Sequence, residues 1–290
     1  MNNTLITLWA SGSYSHQTAT HILPQNSQIE IELIHPCETL IQQIRATAGS
    51  LISGSLWNMS VIEKIPQSLA GVVPLHNTYG RTVNLMPEAL YALTRQQSSI
   101  QVIGWYHLQV KHILAWLPGA KIENISSIHS HPQALSQCID AWLKRFWDHI
   151  NLQHETSTTA HIPHLTQSSA VICSEAAALK NNLEILDKNF WPKDNITDFA
   201  IVSTNPNCHP EMFQNLTKNK TLAVITLKNK EKSLANALDI LWNHWVDMSS
   251  IHSQMSKPGE INFIIVANNH IYWDGVEEDL QKVQWSIQIL

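Results

Sequence analysis

Charge is scarce in this sequence: 14% of its 290 residues are Asp, Glu, Lys or Arg, and the net charge is −5 with histidines neutral. Without a basic excess there is no electrostatic footprint for nucleic acid or an anionic membrane surface, and neither is expected as a partner. No run of eighteen apolar residues occurs, and the start "MNNTLITLWASGS" lacks the charged opening and long apolar stretch of a secretory signal. The expectation is a cytoplasmic protein with no membrane span. The four cysteines (Cys37, Cys138, Cys173, Cys208) have no short spacing among them, which argues against a disulfide framework and a zinc site. Histidines number 16, yet no HExxH occurs. The alternating pair His129 and His131 falls on a strand end and a turn, so no metal site is expected.

What is present is ample apolar material: 44% of the residues, enough for a packed core in one large domain or two ordinary ones. Strand patterns alternate with helical ones: "TLITLWAS" before "YSHQTATHIL", "IEIELIH" before "CETLIQQIRATAG", then "AGVVPLHN", "SIQVIGWYHLQVKHILAWL", "ISSIHS", a helix over 133–147, and "SAVICS" before "EAAALKNNLEI". This implies an α/β fold with mainly parallel pairing. "DFAIVS" reads as a last strand before a linker. From "TLAVITLK" onward the pattern restarts as βαββαβ, a compact unit with its boundary near residue 215.

One stretch, "SSIHSHPQALSQCIDAWL" (126–143), sets a Ser-His-Pro turn before a helix. Ser130 suits the cap and Pro132 the first turn, where its missing N–H costs nothing. Free N–H groups at such a start favour an anion. Ser/Thr-rich turns recur at "GSYSH" (12–16), "HNTYGRT" (76–82) and "TSTTA" (156–160). In open α/β sheets, loops leaving the strand C-terminal ends share one crevice. The residues point to a small polyanionic ligand, most simply a carboxylate.

These segments in this order, "GSYSH", "AGVVPLHNTYGRTV", "ISSIHSHPQALSQCIDAWL", "STTA", "SAVICSEAA" and "DNITDF", resemble the prephenate dehydratase family, and residues 219–290 resemble the ACT regulatory domain that follows its catalytic part. The resemblance implies a two-lobed, periplasmic-binding-protein-like catalytic region over 1–210. Lobe one would span about 1–83 and 191–210, and lobe two about 84–190; a ferredoxin-like ACT domain would follow. It further implies prephenate as the ligand, loss of carbon dioxide and the ring hydroxyl without a cofactor, and a homodimer or homotetramer. Carried over by motif, the substrate would meet Ser13, Tyr14, Ser15, Asn77, Thr78, Arg81, Ser130, His131, Gln133, Ser157, Thr158 and Phe199, with His76, Thr197 and Asp198 in the chemistry.

The sequence departs from the family pattern where it matters. The family's Glu-Asn-Ser is His76-Asn77-Thr78, a glycine three positions on is Arg81 unless a one-residue gap keeps Gly80 aligned, and Thr-Arg-Phe is Thr197-Asp198-Phe199. The family's threonine is linked with hydroxyl loss and its arginine with a substrate carboxylate. Two like charges about 4 Å apart repel by roughly 4 kcal/mol at an effective dielectric near 20, so an ionised Asp198 would oppose that carboxylate unless it turned away or Arg81 took over. On this charge argument the expected reaction is that of the non-aromatising prephenate decarboxylases, which keep the ring hydroxyl, with His76 as proton donor. Dehydration to phenylpyruvate, favoured by Thr197, and a non-catalytic acid-binding role are the alternatives. In the tail, "KSLANAL" and "IHSQMSK" replace the family's effector motifs except at Ser253, so phenylalanine control is not expected.

Overall fold

The computed structural model describes residues 3–8, 11–34, 64–79, 81–82, 100–141, 150–155, 158–268, 273–283 and 285–289. The helix expected over 37–49 and Ser157 lie outside these residues, and Arg81 is described by its backbone alone.

Three sheets organise the described chain. The first contains β1 (Thr4–Leu8), β2 (Glu30–Ile34), β3 (Ala70–Asn77), β4 (Arg81–Thr82), β5 (Gln101–Gln109) and β11 (Ile196–Ser203). Its order is β2-β1-β3-β11-β5, with β4 beside β3. The second is β10-β6-β9-β7-β8, built from β6 (His112–Trp116), β7 (Ser127–Ser130), β8 (Asn151–His154), β9 (Ser169–Ser174) and β10 (Glu184–Asp187). The third is β13-β14-β12-β15, from β12 (Lys220–Lys228), β13 (Asp247–Lys257), β14 (Glu260–Asn268) and β15 (Ser286–Ile289). With α5 (Ser233–Asn243) and α6 (Trp273–Lys282) this third unit follows the βαββαβ order of the sequence reading.

The expectation of mainly parallel pairing needs correction. Parallel ladders join β1 to β2 and β3, and β7 to β8 and β9, whereas β11 runs antiparallel to β3 and β5 and β6 antiparallel to β9 and β10. The chain passes straight from β5 into β6 and returns as β11, so the crossing strands oppose their neighbours. The crossing point is also later than residue 84, because β5 pairs with β11 from Gln109 to Gln101 and belongs to the first sheet. The two crossings touch, with Val110 N–H donating to the Asn195 carbonyl at 2.7 Å.

Each strand gives alternate side chains to opposite faces. In β11, Phe199 and Ile201 pack with Leu5 and with Ala19 and Ile22 of α1 (Tyr14–Ile22), while Ala200 and Val202 pack with Ile6, Val73 and Trp105. Onto this second face the third sheet lays Leu222, Val224, Ile264 and Val266. Its opposite face, carrying Ile225, Leu227, Phe263 and Ile265, is covered by Ala237 and Leu241 of α5 and Val276 and Leu280 of α6. The first sheet is thus sandwiched between α1 and the third sheet. The linker enters tightly: Trp105 and Thr217 exchange backbone hydrogen bonds, and a Cβ on Gly104 would lie 3.3 Å from the Thr217 carbonyl oxygen. Among the described residues no helix is long and apolar enough to cross a membrane.

Trp105, 1% exposed, joins the two sheets at this seam. Trp105→Ala is expected to cost about 3–5 kcal/mol in urea unfolding, the penalty of emptying a large aromatic site; a loss below about 1 kcal/mol would show that the seam carries little of the stability.

Candidate active site

The site begins with a backbone irregularity. Asp198 pairs with His76 and Phe199 with Pro74, leaving Leu75 as an extra residue in β3. Such a bulge re-aims the side chains that follow it. Past it, Asn77 faces the same way as Thr197, and His76 the same way as Asp198. Two polar pairs therefore stand back to back on one sheet.

On the α1 side, the Asn77 amide donates to Thr197 Oγ1 at 2.9 Å, to Asn195 Oδ1 at 2.8 Å and to the Ile196 carbonyl at 3.1 Å. Its carbonyl oxygen accepts from Gln137 Nε2 at 2.9 Å and from the Tyr79 N–H at 3.0 Å. Gln137 ends α2 (Pro132–Gln137) in the second sheet's half of the molecule. Its Oε1 lies 2.9 Å from Asn195 Nδ2 and 2.8 Å from His112 Nε2. His112 Nδ1 is in turn 2.9 Å from the Tyr14 hydroxyl, which also meets the Lys111 carbonyl at 2.9 Å. Burial, opposed by the Gln137 bond and reinforced by His131, lowers the His112 imidazole to about 4. His112 is therefore neutral at pH 7, with its proton on Nε2 donated to Gln137. Burial, with Cys173 and Cys138 adding to it, holds the Tyr14 phenol well above its ordinary range. The result is a chain of neutral donors and acceptors from Tyr14 to Thr197, spanning both halves. Thr197 Oγ1 accepts a hydrogen bond from Asn77, and among the described residues no acceptor stands opposite its own proton.

On the opposite face Asp198, 5% exposed, is held by three side chains. Lys220 Nζ is 2.7 Å from Oδ2, His107 Nδ1 is 2.6 Å from Oδ1, and His76 Nδ1 lies farther off, 3.4 Å from Oδ2. Burial alone would raise the Asp198 carboxyl, but the His107 and Lys220 bonds, with the longer His76 contact, hold it well below the usual carboxylate range. The bond to Asp198 raises the His107 imidazole against the opposing effect of burial. His107 Nε2 faces Asn219 Oδ1 at 3.0 Å and Thr217 Oγ1 at 3.1 Å, so the ring, when doubly protonated, has an acceptor at each nitrogen. Lys220 opens β12, so this cluster lies under the third sheet, across β11 from Thr197. Asp198 does not share the Thr197 face, and Lys220 already answers its charge.

Several sequence-assigned hydroxyls are committed elsewhere. Ser13 caps α1 by accepting from the His16 N–H at 3.2 Å, and Ser15 is buried. Thr78 Oγ1 donates to the Asp194 carbonyl at 2.6 Å and accepts from the Ile196 N–H at 3.0 Å, bracing the second crossing. Ser130 does not cap α2: its hydroxyl is fully buried and donates to the Ile172 carbonyl at 2.7 Å, and His131 Nδ1 takes the cap by accepting from the Gln133 N–H at 3.3 Å. Thr158 opens α3 (Thr158–His161) and accepts from the His131 N–H at 2.9 Å, so the Ser-His-Pro and Thr-Thr turns do meet. Gln133 is half-buried beside them. Phe199, 1% exposed, belongs to the core under α1. Arg81 pairs in register with Asn77. The glycine turn "GSYSH" is tied to the second sheet, because Ser174 Oγ donates to the Gly12 carbonyl at 2.6 Å. Sequence reading missed His112, Gln137, Asn195, His107 and Lys220. Gln137 and Asn195 lay in the motif segments "ISSIHSHPQALSQCIDAWL" and "DNITDF"; the others act across contacts that no local pattern marks. It also missed a group with metal-ligand chemistry, His129, Glu155 and His161.

Residues 60–207, just over half of the chain, match the family model described as prephenate dehydratase. The chain belongs to the prephenate dehydratase family. Among curated relatives, a bifunctional chorismate mutase/prephenate dehydratase of Buchnera aphidicola is 26% identical over 96% of this chain and 66% of that protein. The chain thus spans about two thirds of the length of that relative. A prephenate dehydratase of Methanocaldococcus jannaschii is 27% identical over 79% of each chain. The crystal structure of the prephenate dehydratase from Staphylococcus aureus superposes with a TM-score of 0.69 at 18% identity, covering 100% of this chain and 98% of that one. At that identity the likeness speaks for the fold, a two-lobed catalytic region with a C-terminal domain, as the sequence reading expected.

In this family member the Asp198 cluster sets a pH window. Asp198, with its lowered value, contributes stability that is present above the ordinary aspartate pKa of about 4 and is lost as pH falls through the folded value. His107, with its raised value, contributes stability that is full below about 6.5 and is lost as pH rises through the folded value. Asp198→Asn is expected to cost about 3 kcal/mol between pH 4.5 and 6 and less at pH 9; urea titrations giving the same loss at both ends would contradict the His107 assignment.

Proposed function

We propose that this chain converts prephenate to phenylpyruvate, and that the dehydratase reading replaces the decarboxylase one. The support is the Thr197 hydroxyl, oriented by the Asn77 amide and left with its own proton to donate. Loss of carbon dioxide from the ring leaves an electron pair that flows through the diene and expels the hydroxyl at the far carbon, which aromatises the ring. Thr197 Oγ1 donates a hydrogen bond to that departing oxygen, which leaves as hydroxide and takes its second proton from solvent water, so the threonine keeps its own proton for the next turnover. The reaction is redox-neutral, so it calls for no cofactor.

The charge argument for hydroxyl retention weakens once Asp198 is bonded to Lys220 on the other face of β11. His76 lies with Asp198 rather than with Thr197, a poor position for protonating the same ring. The substrate carboxylates are assigned to Arg81, opposite Asn77 in register, and to the neutral donors of the Tyr14–His112–Gln137 chain. Domain limits of about 1–210 and 219–290 and a homo-oligomeric assembly complete the reading.

Incubation with prephenate, followed by absorbance and product mass against an enzyme-free control, is expected to yield phenylpyruvate. A dihydro-hydroxyphenylpyruvate product would restore the decarboxylase, and binding without turnover would indicate a sensor. Thr197→Val is expected to lower kcat about 100-fold or more with KM little changed. For Arg81→Ala the expectation is a raised KM, and unaltered prephenate binding would remove that residue from the site.

A further inference from the structure

In the second sheet, away from the Thr197 network, three side chains from separate elements converge: His129 of β7, Glu155 just beyond β8 and His161 at the end of α3. A ring nitrogen of each histidine and a Glu155 oxygen lie within 4.8 Å of one another. His129 Nδ1 is 2.9 Å from Glu155 Oε1 and His161 Nδ1 is 3.2 Å from Oε2, with the two imidazoles stacked at 4.4 Å. We propose that His129, Glu155 and His161 form a binding site for a divalent transition-metal ion, of the zinc type.

Two imidazoles and one carboxylate form a donor set that suits Zn2+, leaving further positions to water or another donor. A tetrahedral ion with bonds of about 2.1 Å sets its donors about 3.4 Å apart, within a few tenths of an ångström of the two His–Glu contacts, an adjustment that side-chain rotation supplies. The surroundings fit as well. His129 Nε2 lies 3.1 Å from Ser127 Oγ, which reaches Ser169 Oγ at 3.3 Å. A metal-ligating histidine almost always has its second nitrogen fixed by such a group, which orients the ring and sets its tautomer. His161 is less satisfied: one nitrogen meets Glu155, and Nε2 is buried without a partner. No described group claims Nε2, so it can carry the ring proton, which leaves the Nδ1 lone pair beside Glu155 for a cation. Burial, partly opposed by Glu155, lowers the His161 imidazole, which favours the neutral form that metals bind. The ion would tie α3, which carries Thr158, to β7, which ends at Ser130, and to the end of β8, without taking part in the prephenate chemistry.

The test is calorimetric titration of the chelator-stripped full chain with Zn2+, followed by Co2+ absorption spectra. One ion per chain is expected, with a rise in Tm and with affinity falling as pH drops below about 6. Glu155→Gln and His161→Gln should each weaken Zn2+ binding by more than about 100-fold, Ser127→Ala by about 10-fold, and the exposed His209→Ala not at all. Co2+ should give d–d bands of a four- or five-coordinate nitrogen/oxygen site without thiolate charge transfer. No stoichiometric binding by the parent chain, or equal affinity in folded Glu155→Gln, overturns the proposal. If that variant fails to fold, Ser127→Ala and the Co2+ spectrum decide, an unchanged affinity or an octahedral aquo spectrum counting against it. Turnover of prephenate is not a readout here, so this result and that of the product assay stand apart.

Discussion

A β-strand turns successive side chains to opposite faces, and β11 uses that constraint to keep two charge environments apart. Thr197 meets Asn77 and the amide chain leading to the second sheet, while Asp198, one peptide later, meets Lys220 and His107 under the third. The extra residue Leu75 in β3 makes the partners match: it puts Asn77 beside Thr197 and His76 beside Asp198. A one-residue slip of β11 would exchange the two faces, aiming a carboxylate at the amide network and a threonine at Lys220. Apolar neighbours resist that slip, because Phe199 and Ile201 would then leave the core under α1.

The same strand couples the third sheet to the site. Leu222, Val224, Ile264 and Val266 share a core with Trp105, Ala200 and Val202, and Lys220 closes its rim on Asp198. A buried ion pair often adds little stability compared with an apolar substitute, while stripping one partner from it is costly. Its contribution here is therefore to registration: apolar packing alone tolerates sliding, whereas Lys220 has a single acceptor among the described residues with which to satisfy its charge. The linker adds directional bonds, since Trp105 and Thr217 exchange backbone hydrogen bonds and Gly104 leaves room for their approach.

Much of this was legible in the sequence, for physical reasons that also mark the limit. The βαββαβ tail could be read because its two central strands are short continuous apolar runs, buried on both faces, and its helices are amphipathic, all local signals. The motif segments could be placed because turns and caps are local as well. What could not be read is which way a side chain points past a bulge. From the sequence Asp198 was expected to act alongside Thr197, whereas Leu75 and the strand period turn it to the opposite face and to Lys220. The cap at α2 shows the same limit: Ser130 and His131 are both competent, and only the buried carbonyl of Ile172 draws the serine away. His129, Glu155 and His161 are brought together by three elements, so no spacing rule announces them.

The described polar contacts joining the two halves share one property: Tyr14 with His112, Gln137 with Asn77, and Ser174 with the Gly12 carbonyl are all bonds between neutral groups. Each such bond contributes on the order of 1 kcal/mol net, because water replaces it when it breaks. Parting these contacts therefore costs on the order of a few kcal/mol, and each group can turn from its partner to an incoming oxygen without leaving a buried charge unpaired. Ion pairs in the same positions would compete directly with a dianionic acid for their own cations. Among the described residues the Asp198–Lys220 ion pair lies on the far side of β11, which leaves neutral donors between the halves, the arrangement on which the proposed function draws.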